Sequence, residues 1–289
     1  MPFSLPSRAA FRQSRRRLWL GLKTLLGRRP SGFFIPYRYA HAVTAPESYP
    51  VATALCEAAV ADFRQALALL DTYRSDLLAI PAQAKPPAPR WQQDWFAPLD
   101  AAMLYAFIRA RRPARLVEIG CGHSTRFAAK AISDGRLATH HVAIDPAPRA
   151  EIGALRIDLQ KCVLAAADHS IFGSLRAGDM LFIDSSHILM PGTDVDQLFN
   201  RVLPMLAPGV IVHVHDIFLP DDYPRAWAWR GYNEQSALLP FLNGNGFRLL
   251  FASHYVTTRM AASLAATPLA DLPHHVSAAP ATSFWLERR

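Results

Sequence analysis

The chain has 289 residues, 51% hydrophobic and 19% charged, with 31 Lys+Arg against 23 Asp+Glu for a formal net charge of +8. That apolar content offsets chain entropy and excludes disorder as the main state. Three scattered cysteines, Cys56, Cys121 and Cys162, exclude a disulfide framework and a CxxC metal site, and no run of 18 apolar residues is available to span a membrane.

The charge is concentrated at the start. Residues 1–30 hold Arg8, Arg12, Arg15, Arg16, Arg17, Lys23, Arg28 and Arg29 and no acid, which leaves 23 basic and 23 acidic side chains in residues 31–289. A nucleic-acid surface spread over the fold is therefore not expected. Trp19, Leu20, Leu22, Leu25 and Leu26 lie among these charges, so a short helix here carries an apolar side and a charged side. Three readings stay open: a disordered or partner-binding arm, a peripheral contact with an anionic membrane surface, and an export leader suggested faintly by Ser14-Arg15-Arg16. Lys23 interrupts the apolar stretch, which weighs against export. The expected location is cytoplasmic, with the arm as the only candidate membrane contact.

Residues 31–50 are aromatic and proline-punctuated, as in a loop packed on the body. Residues 56–80 read as helix, with Val60, Phe63, Leu67, Leu70 and Leu77 on one face. Residues 81–91 (PAQAKPPAPRW) form a stiff linker, and a second helix is expected over 98–110. From residue 115 strands and helices alternate. RLVEI is a strand entering a glycine turn, 124–134 a helix and HHVAID a strand. A short helix follows around 149–155, and IDLQKCVL and DMLFIDSSH are further strands. DVDQLFNRVLPMLAPG is helix and VIVHVHD strand. NEQSALLPFLNGNG is helix, and FRLLFASHY and SFWLERR are the closing strands. Alternation at this spacing predicts an α/β fold with a doubly wound, mostly parallel sheet. Three segments are expected: a basic arm over 1–30, a helical extension and linker over 31–110, and the main domain over 111–289.

Glu118-Ile119-Gly120-Cys121-Gly122-His123-Ser124 leaves a strand and opens a helix. Glycines at such a turn let a ligand approach the backbone, and ligands of these sheets sit beyond the carboxyl ends of the strands. Asp145 ends the next strand, where a carboxylate can accept both hydroxyls of a ribose. A dinucleotide fingerprint requires a third small residue, and that position is Thr125. The turn thus suits S-adenosylmethionine, which has no pyrophosphate, better than NAD.

Two polar clusters close later strands: Asp184-Ser185-Ser186-His187, and His213, His215 and Asp216. If the strands are neighbours, the clusters meet on one rim. His213 and His215 share a strand face. Two carboxylates and an imidazole there can bind a divalent ion that acidifies a substrate hydroxyl, or histidine and aspartate can do acid–base work without metal. The bland reading is that the aspartates cap turns and the histidines are hydrogen-bonded structure. Tyr223, Trp227, Trp229 and Tyr232, in the connection after the second cluster, could roof a substrate or pack on the sheet.

On LVEIGCGHSTRF, HVAIDPAPR, GDMLFIDSSH, PGVIVHVHDIFLPDDYP, YNEQSALLPFL and SFWLERR, the chain resembles the class I S-adenosylmethionine-dependent methyltransferases over about residues 94–289. Within them it resembles the bacterial small-molecule O-methyltransferases with a catechol-methyltransferase-like site. The resemblance implies a seven-stranded Rossmann-like sheet with an antiparallel last strand. It implies a donor site of Glu118, Gly120, Gly122 and Ser124 with His123 beside them, Asp145 on the ribose and Asp168 near the adenine. Metal ligands would fall on Asp184, His215 and Asp216; His215 stands where the family has an acid, and imidazole favours softer ions than magnesium. The general base would be His187, with His213 as a second candidate. The acceptor would be a small molecule or sugar-like hydroxyl. Two alternatives remain: a donor- or metabolite-binding protein of the same fold without activity, and an NAD-dependent oxidoreductase.

Overall fold

The computed structural model describes residues 8–273 and 279–289. The chain forms two compact units, one of Ser48–Asp222 with Tyr232–Arg289 and a smaller one of Met1–Glu47 with Tyr223–Gly231.

The larger unit is built on a seven-stranded sheet. Its strands are β1 (Arg115–Ile119), β2 (His140–Ile144), β3 (Asp158–Gln160), β4 (Met180–Ile183), β5 (Ile211–Val214), β6 (Phe247–Ala252) and β7 (Phe284–Arg288). The spatial order is β3-β2-β1-β4-β5-β7-β6. The first five pair in parallel, and β7 runs antiparallel between β5 and β6. This is a Rossmann-like doubly wound sheet with an antiparallel last strand. Every residue of β4 (MLFI) and β5 (IVHV) is buried, the pattern of strands covered on both faces.

In the smaller unit, α1 spans Arg8–Leu26. In the larger unit, α2 (Pro50–Ala58), α3 (Val60–Thr72) and α4 (Arg74–Leu78) replace the single helix expected over 56–80. Pro50 in the first turn is pre-set for a helix start, which moves the start back by six residues. Tyr73, with φ −107° and ψ 18°, interrupts the run between α3 and α4. Helix α5 (Pro98–Arg111) is buried from Leu99 through Ile108, so it is an internal helix that presents no polar stripe. Helices α6 (His123–Asp134), α7 (Ser170–Gly173), α8 (Asp194–Gln197), α9 (Leu203–Met205), α10 (Gln235–Asn243), α11 (Ser253–Arg259) and α12 (Ala261–Ala265) complete the chain.

IDLQKCVL, expected as strand, is strand only over Asp158–Gln160 and enters a 3-10 turn at Leu164, and two further local expectations fail. Residues 149–155 form bends and a turn, with Leu155 N–H donating to Ile152 C=O. FRLLFASHY is strand only to Ala252. Ser253 N–H donates to Ser283 C=O at 2.9 Å, and the partner strand begins at Phe284, so the chain has no further ladder to join and turns into α11.

Candidate active site

The turn leaving β1 is shaped by its contact with β4. Gly120 has φ +83°, and a Cβ there would collide with the backbone carbonyl oxygen of Asp184; only glycine meets both conditions without cost. Gly120 N–H donates to Ile144 C=O at 2.9 Å and Asp184 N–H to Ile119 C=O at 2.8 Å, which ties the exits of β1, β2 and β4 together. Gly122 faces open space, and its N–H donates to Thr125 Oγ1 at the start of α6.

The expected donor-site residues fall into three groups. Glu118 and Ser124 are buried beneath the turn. Ser124 Oγ donates to Glu118 Oε1 at 2.6 Å, and Glu118 Oε2 lies 3.2 Å from His141 Nε2. They support the loop from below. Asp145 follows β2, with Oδ2 accepting from Cys121 N–H at 2.8 Å and Oδ1 from Ala147 N–H at 2.7 Å. It therefore clamps the glycine turn from the end of β2. Asp168 is exposed just before α7 and accepts from Ser170 N–H and Oγ; these bonds hold its carboxyl below the ordinary range. His123 has a buried Nδ1 with no hydrogen-bond partner. Burial, then the charges of Arg126 and Arg90, push its imidazole down to about 4, so it is neutral. Two glycines, open space beside Gly122 and an orphaned polar atom at His123 fit a ligand laid across this turn.

Around the exits of β4 and β5 the second cluster is denser than the sequence suggests. His187 is 4% exposed. Its Nδ1 lies 2.8 Å from Glu234 Oε2, and its Nε2 lies 3.3 Å from Asp184 Oδ1 and 3.5 Å from Asp216 Oδ2. Burial alone would lower its pKa; the three carboxylates outweigh that and raise it well above the ordinary histidine value. The same burial raises the Glu234 carboxyl, and both shifts keep one proton on the pair. His187 and Asp216 have φ of +61° and +56°. Left-handed backbone is costly for non-glycine residues and clusters at functional sites.

His215 is held from both sides. Its Nδ1 lies 3.4 Å from Asp216 Oδ1 and 3.8 Å from Asp184 Oδ1, and its Nε2 lies 3.6 Å from Asp100 Oδ2. Burial opposes its charge, but Asp216, Asp100 and Asp184 lift it to about 9. Asp184 is the member that reaches solvent, with 42% of its side chain exposed. Desolvation works against its ionisation, and the hydrogen bond from His187 with the His215 charge overrides that and holds it at about 2.

His213 does not join this rim. It is fully buried, stacked on Phe182 at 3.8 Å, with Nε2 2.8 Å from Ser283 Oγ. Burial and then the His215 charge push its pKa well below the ordinary value. It stands as a neutral core histidine between β4 and β7.

Two participants were not among the expected site residues. Glu234 is fully buried and is reached only through the fold; the one local signal is its place in the polar run Asn233-Glu234-Gln235 before an apolar helix. Asn233 adds to the scaffold, with its N–H donating to His187 C=O and its Oδ1 accepting from Leu189 N–H. Asp100 is the one acid of α5 and lies among its buried residues. Its carboxylate accepts from Thr282 N–H at 2.8 Å and Ser283 N–H at 3.1 Å while facing His215.

The expected metal ligands Asp184, His215 and Asp216 come together, but not as a metal site. Among the described residues no group of three or more histidine, cysteine, aspartate or glutamate side chains could hold a metal ion. The carboxylates of Asp184 and Asp216 are instead shared between the His187 and His215 rings.

Of the aromatic residues in the connection after β5, Tyr232 meets the cluster, its ring 4.5 Å from that of His187. Tyr223, Trp227 and Trp229 belong to the smaller unit.

Residues 117–217 match the model of a family described as a methyltransferase domain. That stretch runs from β1 through β5 and contains the glycine turn, Asp145, Asp184, His187, His215 and Asp216. No curated protein matches the sequence. Among solved structures, an S-adenosylhomocysteine-bound methyltransferase of Podospora anserina, PaMTH1, is 14% identical, with 89% of this chain and 99% of that one covered and a TM-score of 0.40. The plantazolicin methyltransferase BpumL in complex with S-adenosylhomocysteine is 12% identical, with 64% and 85% covered and a TM-score of 0.40. A branched-chain polyamine synthase of Thermus thermophilus, in complex with N4-aminopropylspermidine and 5'-methylthioadenosine, is 13% identical, with 78% and 64% covered and a TM-score of 0.40.

Proposed function

We propose that this protein is an S-adenosylmethionine-dependent methyltransferase that methylates a hydroxyl of a small-molecule or sugar-like acceptor. The observation that carries the reading is the contact between Gly120 and Asp184, which sets the donor turn directly against the His187 cluster. Gly120 and Gly122 with His123 would face the methionine end, and Asp145 the ribose. Asp168, exposed and bonded to Ser170, would lie at the adenine end. The donor supplies an electrophilic methyl group.

His187 Nε2 is the proton acceptor in this reading. Glu234 fixes the ring through Nδ1 and leaves Nε2 directed toward Asp184, the solvent-reaching member. The ring rests protonated because three carboxylates surround it, so it must lose that proton before it can take one from an acceptor hydroxyl. An acceptor hydroxyl held at this rim would give its proton to His187 Nε2 as its oxygen attacks the methyl carbon in line; the sulfur–methyl bond breaks and S-adenosylhomocysteine leaves, with positioning supplying much of the rate. The metal-assisted variant is not carried into the proposal, since the donor set does not fit an ion. His213 is not carried forward as a base because its ring is enclosed.

A second reading rests on the same imidazole. Both its nitrogens already face carboxylates, which suits a fixed structural cation, and a donor-binding protein without transfer would use it so.

Calorimetric titration with S-adenosylhomocysteine and, separately, with NAD tests the donor; preference for NAD overturns it. Incubation with labelled S-adenosylmethionine and a panel of hydroxylated small molecules tests transfer. Donor binding with no labelled product across hydroxyl acceptors leaves the second reading in place.

A further inference from the structure

The smaller unit, Met1–Glu47 with Tyr223–Gly231, has a physical character of its own. It contains eleven basic residues and one acid, Glu47, a net charge of +10; the rest of the chain has 20 basic and 22 acidic residues and a net charge of −2. It also holds twelve of the seventeen exposed large hydrophobic side chains among the described residues. Monomeric soluble surfaces rarely gather apolar side chains in this way without a partner.

The two features are combined on one helix. At about 100° per residue, Leu18, Leu22 and Leu25 share a face of α1, with Leu26 and Trp19 extending one side of it. Leu18, Trp19 and Leu25 are 65, 60 and 58% exposed, and Leu26 is 82% exposed. Arg16 and Lys23 border the Trp19 edge, and Lys23 Nζ lies 5.6 Å from the Trp19 ring centroid. Beyond the helix, Phe33, Phe34 and Ile35 are also exposed. In the 3-10 turn Arg225–Arg230, the Arg230 guanidinium lies 3.8 Å from the Trp227 ring centroid.

We infer that this unit docks on the surface of an anionic lipid bilayer, with the leucine face of α1 entering the acyl boundary and the arginines and lysine at the phosphate level. No described helix is long and apolar enough to cross a membrane, so the contact is peripheral. The charge complements anionic headgroups and the leucines complement the layer beneath them. A nucleic acid would take the charge and leave the leucines in water. A second copy of the unit would cover the leucines but bring two charges of +10 together. The inference is independent of the methyltransferase reading.

The test is co-sedimentation of the full chain with vesicles. On equal parts phosphatidylcholine and phosphatidylglycerol the protein should bind at least about tenfold more tightly than on phosphatidylcholine alone, and added salt should weaken it. The variant Leu18→Ser/Leu22→Ser/Leu25→Ser, of unchanged charge, should lose at least about tenfold on mixed vesicles. Arg16→Glu/Arg17→Glu/Lys23→Glu should lose as much. Tryptophan emission of the wild type should shift to shorter wavelength on mixed vesicles, and Trp19→Phe should remove most of the shift, a readout that does not depend on the multiple variants folding. Absence of binding to mixed vesicles, wild-type binding by the leucine variant, or tighter binding to a short DNA duplex than to mixed vesicles overturns the proposal.

Discussion

Gly120 and Asp184 are packed so closely that a Cβ on the first would overlap the backbone carbonyl oxygen of the second. The turn that leaves β1 and the residue that leaves β4 are therefore in direct contact, and a shift of the acidic cluster at Asp184 is felt by the glycine turn. Gly120→Ala adds a collision with main chain to an unfavourable positive φ. It should lower stability by about 2–4 kcal/mol, read as a lower unfolding midpoint, and weaken S-adenosylhomocysteine binding by calorimetry. An unchanged midpoint would mean that β4 yields at Asp184.

The imidazoles of the cluster predict how stability depends on pH. The pKa values of His187 and His215 lie above the ordinary 6.5 in the fold, His215 at about 9. Their stabilisation is complete below the unfolded value and is lost as pH rises through the folded values. His123 and His213 are shifted the other way, so they penalise the fold as pH falls below about 6.5. The unfolding midpoint should therefore be highest near neutrality and should drop between pH 7 and 10. A midpoint that keeps rising to pH 10 would contradict the imidazolium network.

Glu234→Gln removes one of the carboxylates that hold the proton on His187. If His187 is the base, the rising limb of the pH–rate profile should move to lower pH, while His187→Ala should cut turnover by about 100-fold or more. Turnover at the wild-type level in His187→Ala would remove the base role and leave His187 as a structural cation.

Asp100 should prove structural as well as electrostatic. Asp100→Ala leaves the Thr282 and Ser283 N–H groups without their acceptor and exposes His215 to an uncompensated environment. The expected loss is about 3–5 kcal/mol. Asp100→Asn keeps one acceptor oxygen and should lose less in a denaturant titration.

Asp145→Ala removes both the clamp on the Cys121 N–H and the proposed ribose acceptor. Affinity for S-adenosylhomocysteine should fall by about 100-fold or more, with a smaller loss in Asp168→Ala. Prolonged dialysis against a chelator should leave turnover unchanged; a loss restored by one divalent ion would return Asp184 and Asp216 to metal ligation.

The strands were legible because their signal is local. LVEI, HVAI, MLFI and IVHV are short apolar runs followed by polar residues, and strand–helix alternation already implies a doubly wound sheet. The early end of FRLLFASHY had no local cause: the segment looks continuous, and only the start of β7 at Phe284 leaves Ser253 nothing further to pair with. The positions of Asp184, His187, His215 and Asp216 on one rim also followed from their places at strand ends.

What those side chains do to one another was not legible. Glu234 lies 47 positions from His187, and Asp100 lies 182 positions from Thr282, so neither pairing leaves a trace in spacing. The +8 of the chain likewise splits into +10 on one compact unit and −2 on the other only once Tyr223–Gly231, far along the chain, is seen to join residues 1–47. The sequence by itself determined which segments become buried strands and where polar groups emerge from them, because hydrophobic periodicity is a property of neighbours. The tertiary structure alone decided which emerging groups share a proton, because burial and carboxylate distance set a pKa and both depend on residues far apart in the chain.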